Sequence, residues 1–254
     1  MKKIYIDSKR HERLYIEEEQ VELYGKNKKE SMIIGNEYAY RQMEDGKVGT
    51  FRSATVFISA KKAYIHDLSI INENMNAKEC GQAIALYNDC EEALIENCDI
   101  LSGQDTLFIS PLPLKERIPG GFKGPRENSP RIPTKQIYRN CVIQGNVDFI
   151  FGSGEAVFEN CTIVSIKGSN ECGYVAAPST NENERGFRFL NCTFVSSECE
   201  ENSVYLARPW REHGEAIFEN CQFGKHIKKE FFSGWNQEYS KEKFARFQVI
   251  EKGN

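Results

Sequence analysis

Several features that mark other classes of protein are missing from this sequence. No run of about 18 apolar residues occurs, so we expect no membrane-spanning helix and no membrane partner. The opening segment MKKIYIDSKRHERLYIEEE lacks the apolar run of a signal peptide, so a chain that starts at Met1 is expected to be cytoplasmic. Basic residues (33) do not outnumber acidic ones (37), and the net charge of −4 argues against a nucleic-acid partner.

The residue spacings of metal sites are missing too. None of the nine cysteines belongs to a C-x-x-C pair, and the four histidines show no ligand spacing. We therefore expect no metal ion and no cofactor. An odd number of cysteines in a chain without a secretion signal also disfavours a disulfide framework, so the cysteines need another explanation.

A repeated pattern provides that explanation. An apolar stretch, then Asn-Cys, one variable residue and an Ile or Phe recur along the chain, as in LIENCDI and VFENCTI. The cysteines of the five copies are Cys98, Cys141, Cys161, Cys192 and Cys221, and Leu68 takes the cysteine position in a weaker sixth copy. The steps between copies run from 20 to 43 residues, a range typical of solenoids, propellers and repeat arrays.

The repeat predicts an all-β, single-domain parallel β-helix. Alternating apolar positions favour strands over helices, and no long helical segment separates the copies. Propeller blades need nearly equal lengths, whereas a β-helix releases extra residues as loops from one corner of a coil. In such a coil each cysteine stacks inside on the cysteine below, as a small buried apolar residue.

Two segments depart from the repeat. Residues 110–134 hold six of the eight prolines, which predicts a long loop, and long loops in compact domains are usually functional or mobile. The charged tail, about residues 237–254, is expected to form a helical or irregular cap. No linker divides the chain, so residues 1–254 are interpreted as one domain.

Two aspartates occupy equivalent positions on the repeat. Asp105 lies seven residues after Cys98, and Asp148 lies seven residues after Cys141. If the two cysteines stack, the two carboxyl groups should lie on adjacent coils, about one strand spacing (~5 Å) apart. Repulsion would then keep one carboxyl protonated to higher pH, which suits one acid to attack and the other to donate a proton.

Other polar residues fall near this pair by the same reasoning. Gln104 precedes Asp105, Gln82 follows Leu68 by 14 residues in the coil before, and Arg208 follows Cys192 by 16 residues. Tyr174 and Tyr205 both lie 13 residues after the cysteine of their own copy. Two glutamines, two aspartates and one arginine are therefore expected on one face. The alternative is a purely structural origin, because exposed Asp and Arg are common on any solenoid.

Several segments resemble the pectin methylesterase family. GQAIALY at 81–87, GQDTLF at 103–108, GNVDFIFG at 145–152 and YLARPW at 205–210 are similar to family motifs in the same order. TFRSATVFISAKKAYIHDLSIIN, which starts at residue 50, is similar to a further family stretch. The resemblance covers about residues 20–235. It implies a right-handed β-helix that demethylates methyl-esterified galacturonan or its oligosaccharides.

The resemblance also implies roles for individual residues. Asp148 would be the nucleophile, Asp105 the general acid and later the base, and Arg208 the partner that keeps Asp148 ionised. Gln82 and Gln104 would bind the oxyanion, and an arginine fork would lower the pKa of Asp148. The substrate-binding residues implied are Phe151, Trp210, Phe108 and Val147, with core packing as the alternative role for the aromatic ones.

Two other functions remain open at this point. A β-helix depolymerase, either a polygalacturonase or a lyase, also uses acidic clusters, although a lyase needs several carboxylates for Ca²⁺ and amide donors suit an oxyanion better. A non-catalytic carbohydrate-binding solenoid would keep the aromatic residues and lose the acids. The loop at 110–134 is longer than the family's usual connection, and we expect it to form one wall of the substrate groove and favour short oligosaccharides. We also expect a monomer.

Overall fold

The computed structural model describes residues 1–168, 173–196, 198–234 and 246–251. They fold into a parallel β-helix, as predicted from the repeat, and the helix is right-handed, as the family resemblance implied. The strands are β1 Lys2–Ile6, β2 Lys9–His11, β3 Leu14–Gly25, β4 Met32–Gly35, β5 Gln42–Met43, β6 Gly46–Lys47, β7 Val56–His66, β8 Ser69–Asn72, β9 Leu86–Glu96, β10 Asp99–Leu101, β11 Leu107–Ile109, β12 Lys135–Arg139, β13 Val142–Gly145, β14 Val147–Gly152, β15 Glu155–Glu159, β16 Thr162–Ser165, β17 Gly173–Pro178, β18 Phe187–Leu190, β19 Thr193–Val195, β20 Val204–Ala207, β21 Glu215–Glu219, β22 Gln222–Phe223 and β23 Arg246–Ile250. The helical elements are a 3-10 turn at Thr50–Arg52 and one short helix, α1, at Ala77–Cys80.

Each full coil contributes strands to three faces of the solenoid. The first face contains β11, β14, β17 and β20, and the second contains β12, β15, β18, β21 and β23. In the amino-terminal coils the long strands β3, β7 and β9 run across both of these faces. The third face is a separate sheet of eight parallel strands, from β2 to β22.

The Asn-Cys pairs form the corner between the second and third faces. Asn97, Asn140, Asn160, Asn191 and Asn220 all have positive φ angles, between 51° and 54°, and Asp67 takes this position in the weaker copy. Asparagine tolerates this left-handed conformation better than most residues, so its place before each cysteine is a backbone requirement. Each copy of the repeat identified in the sequence therefore forms the same backbone turn, at the same corner of successive coils.

The cysteines follow this corner into the interior. Cys98, Cys141, Cys161 and Cys192 are buried, and Cys221 is half-buried near the carboxyl-terminal end. The eight described cysteines are free thiols. Beside them Tyr138, Phe158, Phe189 and Phe218 stack with ring centroids 4.5 to 4.9 Å apart. Rungs of identical residue types thus fill the core, and burial of their apolar surface is the main stabilising contribution.

The two irregular segments have different outcomes. No strand or helix interrupts residues 110–134, as expected, and the loop leaves between the first and second faces. The expected cap at 237–254 is wrong for residues 246–250, because β23 pairs in parallel with β21 and continues the second face. The other positions of that tail, except 251, lie outside the described residues. Within the part of the chain described, no helix is long and apolar enough to cross a membrane.

Candidate active site

Asp105 and Asp148 lie on neighbouring coils of the first face. Strand β11 pairs with β14 in a register that joins Leu107 to Ile150, an offset of 43 residues that also aligns the two aspartates. The amide of Asp105 donates a 3.1 Å hydrogen bond to the carbonyl of Val147. Both aspartates line one cavity of about 230 Å³. The adjacency expected from the equal distances to the stacked cysteines is confirmed.

Both aspartates also have unusual backbone conformations. Their φ angles are positive, 62° for Asp105 and 49° for Asp148, and the register of β14 against β17 shifts between Val147 and Ile150. Aspartate, like asparagine, tolerates this left-handed region better than most residues, and the corner residue Asp67 has the same conformation. Bulges redirect a side chain out of the regular alternation of a strand. Both carboxyl groups lie in the cavity at the points where the backbone departs from a regular strand.

Arg208 holds the Asp148 carboxylate at two points. Its Nε donates to Oδ1 at 2.7 Å, and one terminal nitrogen donates to Oδ2 at 2.6 Å. The guanidinium comes from the end of the first face two coils further on, because β14 pairs with β17 and β17 pairs with β20. A planar, two-point ion pair of this kind fixes the orientation of the carboxylate as well as its charge.

A pair of stacked tyrosines supports the guanidinium. The Arg208 guanidinium carbon lies 3.8 Å from the ring centre of Tyr174. The Tyr174 ring stacks on Tyr205 at 5.5 Å, and Lys228 lies 5.0 Å from the centre of the Tyr205 ring. The shared 13-residue spacing in the sequence therefore corresponds to a stack of rings. It fixes the plane of the arginine through a cation–π contact.

The two carboxyl groups have different electrostatic surroundings. Burial, followed by the negative charge of Asp148, raises the pKa of Asp105 well above its usual range. Burial also raises the pKa of Asp148, and the Arg208 ion pair opposes that effect. The lowering expected from the arginine is present, but burial outweighs it, so the pKa of Asp148 is raised overall. The predicted division remains: Asp105 has the neighbouring anion and Asp148 has the ion pair.

Gln82 and Gln104 line the same cavity from successive coils. The amide of Ala83 donates a 3.0 Å hydrogen bond to the carbonyl of Gln104, which places the two glutamine segments side by side. The Gln104 side chain partly offsets the rise in the pKa of Asp105. Side-chain amides at this position can donate to an oxygen that gains negative charge next to the aspartates.

Aromatic side chains form the apolar wall of the cavity. Phe151 and Trp210 both line it and meet edge to face, with centroids 5.7 Å apart. Phe51 lines it as well and packs 6.2 Å from Phe151. From the long loop, Phe122 contacts both Phe51, at 5.8 Å, and Trp210, at 6.4 Å. Aromatic edges and faces beside polar groups suit an apolar sugar face or a methyl group.

Two residues assigned to substrate binding lie elsewhere. Phe108 has no exposed surface and packs beneath Phe151, at 5.0 Å, and Tyr87, at 4.6 Å. Its assignment is wrong, because a side chain closed off on all sides cannot touch a sugar. Val147 lines a second cavity, with Asn146 and Val204, and not the cavity of the aspartates. The structure thus places Val147 outside the cavity of the aspartates, in a strand whose regular alternation is interrupted by the register shift between Val147 and Ile150.

The sequence argument also missed several residues of the cavity. These are Thr50, Phe51, Gly121 and Ala177. Phe51 lies in the TFRSATV segment, and an aromatic residue within a segment that resembles the family was the signal available for it. Gly121 lies in the irregular loop, where no repeat fixes a position relative to the coils. Its place beside the aspartates depends on contacts between distant parts of the chain.

The loop at 110–134 is fastened over the amino-terminal side of the cavity. Lys123 forms a 2.5 Å ion pair with Asp45 of the β5–β6 hairpin, and Arg126 forms a 2.7 Å ion pair with Asp89 of β9. The carbonyl of Lys115 accepts a 3.1 Å hydrogen bond from Arg211, next to Trp210. Three separate attachments thus hold the loop as a wall beside the aspartates.

No group of three or more metal-binding side chains occurs within the described residues. The cavity instead combines an ion-paired carboxylate, a second carboxyl with a raised pKa, two amide side chains and an apolar wall. Such a set can attack an acyl carbon, stabilise the resulting oxyanion and donate a proton to a leaving group.

Comparison with known proteins identifies the family of this chain. The Pectinesterase family model matches residues 3–112 and 131–249. The chain belongs to the pectinesterase family. The interruption of the match, at residues 113–130, falls inside the long loop, so this segment is additional to what the family shares.

Individual members of the family are similar over most of the chain. A pectinesterase from Petunia integrifolia is 30% identical over 224 residues, which are 85% of this chain and 52% of the petunia protein. The chain spans only part of the length of its plant relatives: 52% of the petunia protein and 31% of a probable pectinesterase/pectinesterase inhibitor from Arabidopsis thaliana. The pectin methylesterase from carrot has the same fold, with a TM-score of 0.77 and 21% identity, over 99% of this chain and 74% of its own. A mutant pectin methylesterase solved in complex with a hexasaccharide has a TM-score of 0.74 and 24% identity, over 99% of this chain and 81% of its own.

Proposed function

We propose that the protein is a pectin methylesterase, which hydrolyses the methyl ester of galacturonate units and releases methanol. The observation that carries the proposal is the arrangement at Asp148: a carboxylate oriented at two points by Arg208, beside a second carboxyl with a raised pKa. Membership of the pectinesterase family supports the reaction class. The hexasaccharide complex of a similarly folded pectin methylesterase supports a galacturonan oligosaccharide as substrate.

In the proposed mechanism Asp148 attacks the ester carbonyl. The negative charge that develops on the carbonyl oxygen is stabilised by the side-chain amides of Gln82 and Gln104. Methoxide is a poor leaving group, so protonated Asp105 donates its proton as methanol departs. Asp105 then accepts a proton from the water that hydrolyses the acyl-enzyme, which frees Asp148 and the galacturonate carboxyl group. The buried position of Asp105 keeps its proton available for the first step.

Phe151 and Trp210 hold the galacturonate unit in this proposal. Both line the cavity next to the aspartates, where Trp210 is half-buried and Phe151 is almost fully buried. The loop, through Phe122 and Gly121, closes the cavity on one side and favours short oligosaccharides over the interior of a long polymer. The protein acts as a monomer in this scheme, without metal or cofactor.

A reducing compartment, the cytoplasm, is the proposed location. Four buried thiols stacked next to one another support this, because oxidation during folding would join cysteines that must stay free for the ladder to form. The protein would then demethylate imported oligosaccharides during pectin catabolism. Finding the protein in the culture medium of its host would contradict this part.

The deciding experiment compares methanol release from methyl-esterified galacturonan by the wild type and by Asp148→Asn. We expect release by the wild type without added Ca²⁺ and without shortening of the chain, and almost none by the variant. Shortened chains or unsaturated ends would indicate a depolymerase. Binding of the polysaccharide without any release would indicate a carbohydrate-binding solenoid.

A further inference from the structure

Asn146 comes two residues before Asp148 and contacts the turns of three other coils. Its amide donates a 3.0 Å hydrogen bond to the carbonyl of Gly103 in the coil before, and its carbonyl accepts one of 3.0 Å from Tyr174 in the coil after. Its side chain reaches a third coil, where Nδ2 donates a 3.2 Å hydrogen bond to the carbonyl of Met75. One residue thus connects the turns on which the candidate site is built.

The Asn146 side chain is buried, and the bond to Met75 is its only hydrogen bond within the part of the chain described. It is 1% exposed, and its Oδ1 has no hydrogen-bond partner there. A buried amide with an unsatisfied oxygen costs stability, so a role in stability alone does not account for this side chain. Gly168 lies against it, since a Cβ atom at Gly168 would be 3.2 Å from the Asn146 Cβ. The side chain is therefore fixed between the backbones of Gly168 and Met75.

Helix α1 lies between Met75 and Gln82. Its N-cap residue, Asn76, accepts a hydrogen bond within the turn, and its C-cap residue, Gly81, donates one. These bonds close a single helical turn, and a closed turn of this kind moves as one unit. A displacement at Met75 is therefore passed on to Gln82.

The backbone of Met75 also packs directly on the turn that carries Asp105. A Cβ atom at Gly103 would lie 2.6 Å from the Met75 carbonyl oxygen and 2.8 Å from its Cα. On the other side, the amide of Tyr40 donates a 3.1 Å hydrogen bond to the carbonyl of Cys80 in helix α1. The segment from Met75 to the end of the helix is therefore enclosed between two coils, and its place against the aspartate turns is set at Met75.

We propose that Asn146 is a positioning residue for the oxyanion site that Gln82 and Gln104 form. Through Met75 it fixes the place of Gln82 relative to Asp148. The proposal rests on the proposed function, in which Gln82 donates to the oxygen that becomes negative when Asp148 attacks. A donor stabilises that oxygen only if it already lies at hydrogen-bond distance in the transition state. Asn146 can set this distance, because the chain joins it to Asp148 and its side chain joins it to the segment of Gln82.

The first test measures the motion of the segment without reference to activity. The thiol of Cys80 is half-buried and donates to Oδ1 of Asn74 at 3.4 Å, so its rate of alkylation by iodoacetamide reports how often the segment opens. We expect alkylation of Cys80, located by peptide mass spectrometry, to be about fivefold faster in Asn146→Ala, the effect of one hydrogen bond. Gln144→Ala is the matched control, because Gln144 contacts the sulfur of Met75, at 3.8 Å, and not its backbone. An unchanged rate in Asn146→Ala, or an equal increase in Gln144→Ala, would overturn the proposal.

The second test is a double-mutant cycle on methanol release. Asn146→Ala should lower kcat about fivefold, again the effect of one hydrogen bond, and leave KM unchanged, because Asn146 does not line the aspartate cavity. If Asn146 acts through Gln82, the same replacement has no further effect in a Gln82→Ala protein and keeps its full effect in a Gln104→Ala protein. Equal losses of kcat in all three backgrounds would indicate a general structural role and reject the proposal.

Gly168→Ala provides a second variant that keeps the amide and changes only its position. A methyl group 3.2 Å from the Asn146 Cβ displaces the side chain, so we expect about twofold faster alkylation and about twofold lower kcat, part of the effect of one hydrogen bond. Wild-type values of both quantities would contradict the proposal, also if Asn146→Ala fails to fold. A wild type that releases no methanol, with faster alkylation in Asn146→Ala, would contradict the proposed function and leave the contact with Met75 as the anchor of the segment.

Discussion

Arg208 and Asp148 meet across two coils and join at both oxygens of the carboxylate, at 2.7 and 2.6 Å. The pair is buried, and an ion pair in that position is stable only because each group satisfies the other. Burial raises the pKa of Asp148, and the charge and hydrogen bonds of Arg208 oppose that rise. The neighbouring Asp105 has no arginine ion pair of this kind, and its pKa is raised well above the usual value by burial and by the charge of Asp148. A difference between two adjacent acids is the property that acid–base catalysis at one site requires.

Replacement of Asp148 by Asn should abolish the proposed activity. Asn keeps the shape of the side chain and removes the nucleophilic charge, so we expect methanol release to fall by a factor of about 10³ or more. Initial rates on a methylated oligosaccharide measure the effect, and circular dichroism checks that the fold is retained. A variant that is folded and retains a tenth of the activity would contradict the nucleophile assignment.

The proposed pH dependence of the rate has two limbs. Activity should fall at low pH as Asp148 becomes protonated, and at high pH as Asp105 loses its proton. Arg208→Gln removes the cation that opposes protonation of Asp148, so the acid limb of kcat/KM should move to higher pH. Arg208→Lys keeps a positive charge and should shift that limb less, although loss of the two-point geometry still slows the reaction. An unmoved acid limb in Arg208→Gln would assign it to another group.

Asp105→Asn should make the protein more stable at neutral pH. The pKa of Asp105 is raised in the folded state, so the stability it contributes is full below the pKa of the unfolded chain and is lost as pH rises through the folded pKa. The neutral amide avoids that loss. We expect a higher Tm than wild type at pH 7 and no difference near pH ~3.5, where the acid is largely protonated in both states. A lower Tm at pH 7 would contradict the electrostatic account.

Much of the fold and the centre of the site followed from the sequence alone. Asn-Cys marks a corner because asparagine adopts positive φ and a small apolar residue stacks inside, so one local pattern fixes the coil. Equal offsets from Cys98 and Cys141 then place Asp105 and Asp148 on adjacent coils, since strands in one register keep their relative positions.

The parts that could not be predicted depend on contacts between distant segments. Phe108 and Phe151 are both buried aromatic residues of the first face, and only the packing of Tyr87 and Phe51 against Phe108 shows that Phe108 does not reach the cavity. Strand β23 follows a stretch with no Asn-Cys corner, so nothing local indicated another strand. Gly121 lies beside the aspartates because the long loop is held there by contacts such as the Lys123–Asp45 ion pair. Neither residue of that pair belongs to the repeat.

The ring of Tyr174 is expected to position Arg208 without taking part in the chemistry. Tyr174→Leu removes the 3.8 Å contact with the guanidinium and keeps apolar volume, so we expect kcat to fall about fivefold to tenfold, within the range of one cation–π contact. KM should change little, because Tyr174 does not line the cavity. Tyr174→Phe retains the ring face and should restore most of kcat. If kcat in Tyr174→Phe stayed as low as in Tyr174→Leu, the loss of rate would be due to the hydroxyl group and not to the ring.

The long loop should determine how well polymer is used relative to oligomer. Phe122 connects the loop to Phe51 and Trp210, and Lys123 fastens it to Asp45, so Phe122→Ala combined with Lys123→Ala loosens the wall beside the cavity. We expect kcat/KM for polymeric methylated galacturonan to rise severalfold relative to that for a hexasaccharide. Ile118→Ala is the control, since that side chain is 72% exposed and lies in the same loop. A substrate at the aspartates passes close to this wall, so an unchanged ratio in the loosened variant would mean that the loop plays no part in selecting chain length.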